Sequence, residues 1–278
     1  MTTSSLLFTF INDTTNVSKA EIALVKSLFP NHDSYTHVYD SASLLTPRTV
    51  LAHGVHLTPP ERVLIKARGS SVSHCPVSNS ALSSGLCRVR TLLDDEIEVG
   101  LGTDVSGGYS PSVLAACREA GVTGRVLAGV GWECEDTEEG AGKKMPTQHE
   151  RDRSKLSPEE CLYLATRGGA RCLGLGDKIG AFEVGMEFDA QEVGVEVVQG
   201  ESGLPLLASA IKGGESGDTL VDKESGQVIE GDEDEKHWSN VQLWTNESWS
   251  DRMAKWVFGG DDRNTERVYV RGREVWAR

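Results

Sequence analysis

Apolar residues recur at helical spacing shortly after the start of the chain. Ser18 and Glu21 have the spacing of a capping box, and apolar residues then recur every three to four positions from Ile22 up to Pro30. Proline cannot continue a helix, because it lacks the amide hydrogen. The pattern therefore predicts one amphipathic helix between Ser18 and Pro30.

Short apolar runs then alternate with helix-start signals. A short apolar, β-branched run predicts a strand at residues 49–53, and two further strands are predicted at residues 70–74 and 97–103. Helices are predicted between them, the first starting at a second capping box at Thr58 and stopping at Gly69, the next covering residues 86–95. Strand–helix–strand alternation requires parallel strands with helical crossovers, either in a barrel or in an open doubly wound sheet.

Two polar stretches interrupt this alternation. Residues 133–155 are charged, and residues 199–237 are rich in Gly, Ser, Asp and Glu. Such compositions predict surface insertions, the second of them disordered. Residues 181–198 and 267–276 alternate in the manner of strands, which predicts a small β region assembled from distant segments.

Charge and composition exclude several classes of partner. The formal net charge of −14 opposes binding to a phosphate backbone or an anionic membrane. No apolar run approaches the ~20 residues of a membrane helix. The N-terminal residues lack the features of a signal peptide, so a cytoplasmic location is expected. The 6 cysteines form no C-x-x-C pair and are expected to be reduced, buried thiols.

Candidate chemistry concentrates where the predicted strands end. His53, His74 and Asp104 each lie at the C-terminal end of one of the three strands. In a parallel barrel, ligands from separate strands converge at that rim. A single histidine is more often a core or loop residue, but three such residues at equivalent strand ends favour a functional interpretation. His and Asp are suitable zinc ligands. His56 falls after its strand and is interpreted as a loop residue.

Other hydrolytic and nucleotide-binding motifs are absent from the sequence. The glycine-rich segment 102–108 lacks the Lys-Ser/Thr pair of a P-loop, so its glycines are expected to let backbone approach a small ligand. No Gly-x-Ser-x-Gly elbow is present, and neither is the H-x-E with P-C-x-x-C of cytidine-deaminase zinc sites.

Five segments together resemble the guanine-deaminase family of the amidohydrolase superfamily. They are residues 51–54 (LAHG), 73–79 (SHCPVSN), 100–108 (GLGTDVSGG), 180–190 (GAFEVGMEFDA) and 259–264 (GGDDRN). The resemblance spans nearly the whole chain, and the combination of motifs is specific.

The resemblance implies a fold, a cofactor and a reaction. The implied fold is α/β: a partial (β/α)8 TIM-like barrel with remnants of a small β-sandwich. One zinc would activate water to attack guanine at C2, giving xanthine and ammonia. Asp104 would be a metal ligand, a proton shuttle and a substrate contact, and His53 would orient the water. His74 and Asn79 would line the purine pocket, and the family implies a homodimer.

The same resemblance implies domain boundaries. Residues 1–175 would form the C-terminal part of the barrel, and residues 176–198 and 266–278 would supply sandwich strands. Residues 199–237 would be the acidic insertion, and residues 238–265 a helix that returns to the barrel.

Three departures from the family pattern weaken the implied zinc site. No His-x-His pair occurs in the chain, although the family uses one for two zinc ligands. Phe10 stands where a zinc-ligating His is expected, and Asp13 stands where the family has a proton-shuttling Glu. Asp13 is therefore a catalytic candidate with a shorter side chain. The Gln, Arg and Phe that contact guanine in the family have no counterpart, and Asp104 is the only expected metal ligand that remains.

Three hypotheses fit these observations. The first is a guanine-deaminase relative whose sequence is truncated at the N-terminus and whose activity is doubtful. The second is a non-catalytic, amidohydrolase-like fragment that acts as a binding or oligomerising subunit. The third is an aminohydrolase of another purine or of a triazine.

Overall fold

A computed structural model describes residues 9–15, 18–130, 146–198, 240–244 and 246–278, with the backbone alone for residues 9–15 and 196–198. The predicted disordered insertion at residues 199–237 lies outside the described residues, and so does most of the charged stretch 133–155. The chain divides into two compact units. One comprises Met1–Gln191 with Arg267–Arg278, and the other comprises Glu192–Glu266.

A four-stranded parallel sheet forms the centre of the first unit. Its strands, in spatial order, are β1 (Thr9–Thr15), β2 (Thr49–His53), β3 (Ser71–His74) and β4 (Val99–Leu101). Each neighbouring pair runs parallel. The three strands predicted from the sequence are confirmed, although β4 is shorter than predicted. Strand β1 was not predicted, because its sequence TFINDTT mixes polar and apolar residues without a regular period.

Helices connect and cover these strands. They are α1 (Lys19–Leu28), α2 (Tyr35–Ser41), α3 (Pro59–Arg68), α4 (Pro76–Ala81), α5 (Val89–Asp94), α6 (Val113–Val130), α7 (Gln148–Arg153), α8 (Pro158–Tyr163) and α9 (Gly169–Cys172). A π-helical turn at Leu164–Gly168 joins α8 to α9.

The predicted helix boundaries have clear physical causes. Ser18 caps α1 by accepting a hydrogen bond from the Glu21 amide. Thr58 and Glu61 form the predicted capping box of α3. That helix ends at Gly69, which has φ +68°, a left-handed conformation that glycine adopts without steric cost.

The core of the first unit lies on the central strands. Leu51, Val72 and Val99 come from β2, β3 and β4, and all three are fully buried together with Ile65 of α3. Two glycines allow α9 to approach β4 closely, since a Cβ atom on Gly100 would lie 2.9 Å from the Gly169 Cα. These contacts fix the strands whose ends carry the candidate residues.

A second, three-stranded sheet joins segments that are distant in sequence. Its order is β5 (Ala190–Val193), β8 (Thr265–Val270) and β9 (Arg273–Ala277), and β8 pairs antiparallel with β9. This sheet confirms a β region built from residues near 190 and 270. The strand predicted over residues 181–189 is wrong, because that segment forms turns in which Gly180 and Gly185 have positive φ.

The second unit contains a short parallel pair of strands and a helix. Strands β6 (Glu196–Val198) and β7 (Gln242–Trp244) pair with each other. Helix α10 (Trp249–Gly259) and a 3-10 turn (Asp262–Asn264) follow. Within the described residues, no helix combines the length and the apolar character that a membrane span requires.

Candidate functional site

His53 and Asp104 face each other at the C-terminal end of the parallel sheet. His53 is the last residue of β2, and Asp104 follows β4. The His53 Nε2 lies 3.7 Å from the Asp104 Oδ2. His53 is 3% exposed, whereas the Asp104 side chain is 33% exposed, so the carboxylate is the member of the pair that solvent can reach.

Both residues hold an unusual backbone conformation. His53 has φ +70° and Asp104 has φ +46°. Residues with a Cβ atom rarely adopt this left-handed region, and doing so costs on the order of 1 kcal/mol or more. The rest of the fold must therefore stabilise this backbone conformation. With it, the two side chains approach each other.

Asn79 fixes the other side of the His53 ring. The short helix α4 begins directly after β3, with Pro76 in its first turn, and it carries Asn79 to the imidazole. The His53 Nδ1 lies 2.9 Å from the Asn79 Oδ1, and both residues are buried.

His74 lies at the end of β3 and is completely buried. Neither ring nitrogen has a hydrogen-bond partner among the described residues. Burial, and to a smaller extent the nearby His53, lowers the pKa of His74 to about 3. His74 is therefore neutral at physiological pH.

The glycine-rich loop after β4 packs against Asp104 itself. A Cβ atom on Gly107 would lie 2.6 Å from the Asp104 Oδ2, and one on Gly108 would lie 2.5 Å from the Thr103 carbonyl oxygen. The Gly108 amide donates to the Asp104 carbonyl oxygen. In the structure these glycines let the loop close around the carboxylate, and the expected approach of their backbone to a ligand stays a prediction.

A cavity of about 280 Å³ is lined by residues of β2, β3, β4 and α9 and by the residues that follow β3 and β4. Its lining includes Ala52, Ser73, Cys75, Gly102 and Asp104. Burial raises the pKa of the Cys75 thiol to about 11, so this sulfur is protonated at neutral pH and is a poor nucleophile. Asp104 is the charged group in this lining and thus the natural proton acceptor.

The sequence profile described as the amidohydrolase family matches residues 15–275. The chain belongs to the amidohydrolase family. Among curated relatives, it is 41% identical over 256 residues to a probable guanine deaminase of Schizosaccharomyces pombe, covering 92% of this chain and 38% of that protein. It is 35% identical to human guanine deaminase, covering 93% of this chain and 45% of that one.

Solved structures agree with this family assignment. E. coli guanine deaminase superposes with a TM-score of 0.65 at 29% identity, covering 95% of this chain and 48% of that chain. A guanine deaminase from C. acetobutylicum, solved with guanine in its active site, gives a TM-score of 0.61 at 26% identity, with the same two coverages of 95% and 48%. This amidohydrolase chain thus spans less than half the length of each of these four relatives.

The described residues of this amidohydrolase do not by themselves make a zinc site. A catalytic zinc usually takes three protein ligands. Within the described part of the chain, no group of three or more His, Cys, Asp or Glu side chains is arranged to hold a metal ion. Asp104 and His53 supply two donors 3.7 Å apart, and the two nitrogens of His74 are fully buried.

The structure brings together four of the five residues named from the sequence. His53, Asp104 and Asn79 form one linked group, and His53 lies close enough to His74 to contribute to the lowering of the His74 pKa. Asp13 lies in β1, but its side chain is outside the described part of the structure, as is that of Phe10.

Three details of the site can be compared with the predictions from the sequence. His74 and Asn79 are buried, and neither is among the described residues that line the 280 Å³ cavity, so their role as substrate contacts stays a prediction. His56 is a loop residue as predicted, and its Nε2 lies 3.0 Å from the Ser84 carbonyl oxygen. The hydrogen bond between the His53 Nδ1 and the Asn79 Oδ1 was missed, because only the placement of α4 reveals it.

Proposed function

We propose that this chain supplies the His53 and Asp104 part of a guanine-deaminase-type active site, which hydrolyses guanine to xanthine and ammonia. The observation that carries the proposal is the approach of the His53 Nε2 to the Asp104 Oδ2, 3.7 Å apart at the ends of two parallel strands. The similarity to guanine deaminases, one of them solved with guanine in its active site, supports guanine as the substrate.

Hydrolytic deamination requires two proton transfers around one added water. The water adds to C2 of the purine and loses a proton, and the departing amine must gain one before it leaves as ammonia. A carboxylate that solvent and substrate can reach is suited to both transfers. Asp104 meets this condition, being one third exposed and part of the cavity wall.

His53 has a different role in this proposal. Its ring is buried, and His53 is not among the described residues that line the cavity. With Nε2 directed toward the Asp104 carboxylate, it can accept a hydrogen bond from the water and hold that water beside the base. His53 therefore orients the nucleophile, while Asp104 moves the protons.

Several finer parts of the account belong to the same proposal. The sheet β1–β4 would be part of a (β/α)8 barrel, and β5, β8 and β9 would belong to the small β-sandwich. The zinc of the family would require further ligands besides Asp104, and no step above depends on it. A homodimer, a cytoplasmic location, the proposed domain boundaries and a catalytic role for Asp13 stay predictions.

One observation favours a second candidate, the non-catalytic, amidohydrolase-like subunit. Two convergent donors fall short of the three that a catalytic zinc usually takes, and the described residues do not offer a third one to the same point. A chain of this kind would keep the fold and the buried His53–Asn79 pair without turnover.

The deciding experiment measures xanthine and ammonia formation from guanine by the purified chain, together with its zinc content. Guanine-dependent ammonia release that is lost in Asp104→Asn supports the proposal. Absence of ammonia from a folded chain would contradict it and favour the non-catalytic candidate. Release from another purine or from a triazine, but not from guanine, would instead support the third hypothesis.

A further inference from the structure

We propose that Asn79 is a positioning residue that fixes the tautomer of His53, with the proton on Nδ1 and the lone pair of Nε2 directed toward Asp104. The chemical purpose of this arrangement rests on the proposed function. The tautomer itself is a property of the folded chain, so it can be tested without turnover.

The Asn79 amide oxygen determines which nitrogen of His53 carries the hydrogen. The Asn79 Oδ1 lies 2.9 Å from the His53 Nδ1, within normal hydrogen-bond distance. A carbonyl oxygen can only accept, so Nδ1 must carry the hydrogen. In a neutral imidazole the other nitrogen then has no hydrogen and acts as an acceptor.

Burial makes this preference effective. His53 and Asn79 are each 3% exposed, so water does not compete for either atom. Within the described residues, the Asn79 side chain makes one hydrogen bond, which joins its Oδ1 to the His53 Nδ1. Its Nδ2 is buried without a partner. A hydrogen bond between two such buried groups is costly to leave unmade.

The tautomer of His53 also determines what can lie between His53 and Asp104. With Nε2 unprotonated, it and the carboxylate Oδ2 are two acceptors 3.7 Å apart. Two acceptors cannot bond to each other, but a single water can donate one hydrogen to each of them. In the opposite tautomer, Nε2–H would point at Asp104 and occupy the base that must take the water's proton.

Two groups near the ring in the described part of the chain, His74 and Ser80, do not donate a hydrogen to it. Burial and the nearby His53 lower the pKa of His74 to about 3, so the His74 ring is neutral, and within the described residues this ring makes no hydrogen bond. The side chain next to Asn79 on α4, Ser80, is exposed and donates to Glu119. Asn79 is therefore the group of α4 that acts on the imidazole.

The direct test is a long-range proton–nitrogen correlation spectrum of the imidazole rings in the full, unsubstituted chain at slightly alkaline pH. We expect the His53 resonances to have a protonated Nδ1 and an unprotonated Nε2. A spectrum with the proton on Nε2 would overturn the inference, whether or not the chain releases ammonia.

Two substitutions separate positioning from simple packing. Asn79→Asp keeps an oxygen acceptor at nearly the same volume and should retain the Nδ1–H form of His53. Asn79→Leu removes the acceptor and should shift His53 substantially toward the Nε2–H form. Ser80→Ala, on the same helix, is the matched control and should leave the His53 resonances unchanged.

These variants also keep the inference separate from the proposed function. If Asn79→Leu stays folded by its amide spectrum and retains the original tautomer, Asn79 is not the positioning residue. If Asn79→Leu unfolds, the spectrum of the unsubstituted chain and that of Asn79→Asp still decide. If the tautomer behaves as expected but guanine is not deaminated, the inference stands and the proposed function fails.

Discussion

Two cavities in the first unit of the chain differ in volume, and the candidate catalytic residue Asp104 lines the smaller one. The cavity beside β2, β3 and β4 measures about 280 Å³ and is lined by Cys75 and Asp104, among others. A larger cavity of about 760 Å³ lies between residues 175–189 and residues 270–273. The smaller one carries the candidate chemistry, because its carboxylate faces a buried histidine.

Three of the charged residues that line the larger cavity, Glu187, Asp189 and Arg271, contact one another. The Arg271 guanidinium forms an ion pair with Glu187 at 2.9 Å, and the Arg271 amide donates to the Asp189 Oδ1 at 2.7 Å. At the strand ends, by contrast, Asp104 and the His53 Nε2 are close without a direct hydrogen bond. Reactive potential thus depends on which polar atoms still need a partner, and volume is a poor guide to it.

The largest expected effect is the loss of activity in Asp104→Asn. The amide cannot take a proton from water, so guanine-dependent ammonia release should fall by about 100-fold or more. Glu187→Gln in the larger cavity is the matched control and should change the rate by less than about twofold. Equal losses in both variants would remove the distinction between the two cavities.

The next largest effect is a loss of stability at the base of the strand-end site. Leu51 of β2 is fully buried, so Leu51→Ala should lower the free energy of unfolding by roughly 2–5 kcal/mol. Val184, which is fully exposed, provides the control, and Val184→Ala should be close to neutral. Urea unfolding of both variants measures the difference, and similar midpoints would contradict the assigned core.

His74 should make the chain sensitive to acid. Its pKa is about 3 in the folded chain and 6.5 ordinarily, so between these values the unfolded chain binds a proton that the folded chain does not. Stability should therefore decline as pH falls from 6.5 toward 3, by up to about 1.4 kcal/mol per pH unit from this group. His74→Gln should flatten the curve, whereas the exposed His149→Gln should not. Parallel curves of stability against pH for His74→Gln and the parent chain would show that His74 does not cause the acid sensitivity.

A smaller effect is expected from the loop around Asp104. The Cβ atom of Gly107→Ala would displace the carboxylate that lies 2.6 Å from its position, and we expect about a tenfold loss of ammonia release. Gly129→Ala adds a Cβ atom in open space on α6 and should leave the rate unchanged. Equal rates for the two variants would show that the loop does not position Asp104.

The elements that sequence reasoning found have strong local signals. Strand β2 is a β-branched apolar run, and α3 has a capping box at one end and Gly69 at the other. Helix α6 was not predicted, because its glycines resemble helix breakers. In the structure, Gly124 is required for packing, since a Cβ atom there would lie 2.4 Å from the Ser154 carbonyl oxygen.

The candidate site could be predicted in part, because the strands that carry two of its residues could be predicted from the sequence. His53 and Asp104 could be placed at strand ends from the apolar pattern alone, and parallel strands bring such ends together. The bond between Asn79 and His53 could not, because it depends on the path of a six-residue helix after β3. Burial of His74 likewise depends on neighbours far along the chain.

The most direct test of the account is a titration of the nitrogen-labelled chain with guanine, followed through its backbone amide resonances. We predict that the shifts concentrate on Gly102, Asp104 and Gly108 at the strand ends. Shifts confined to residues 270–273 would place binding in the larger cavity and contradict the account.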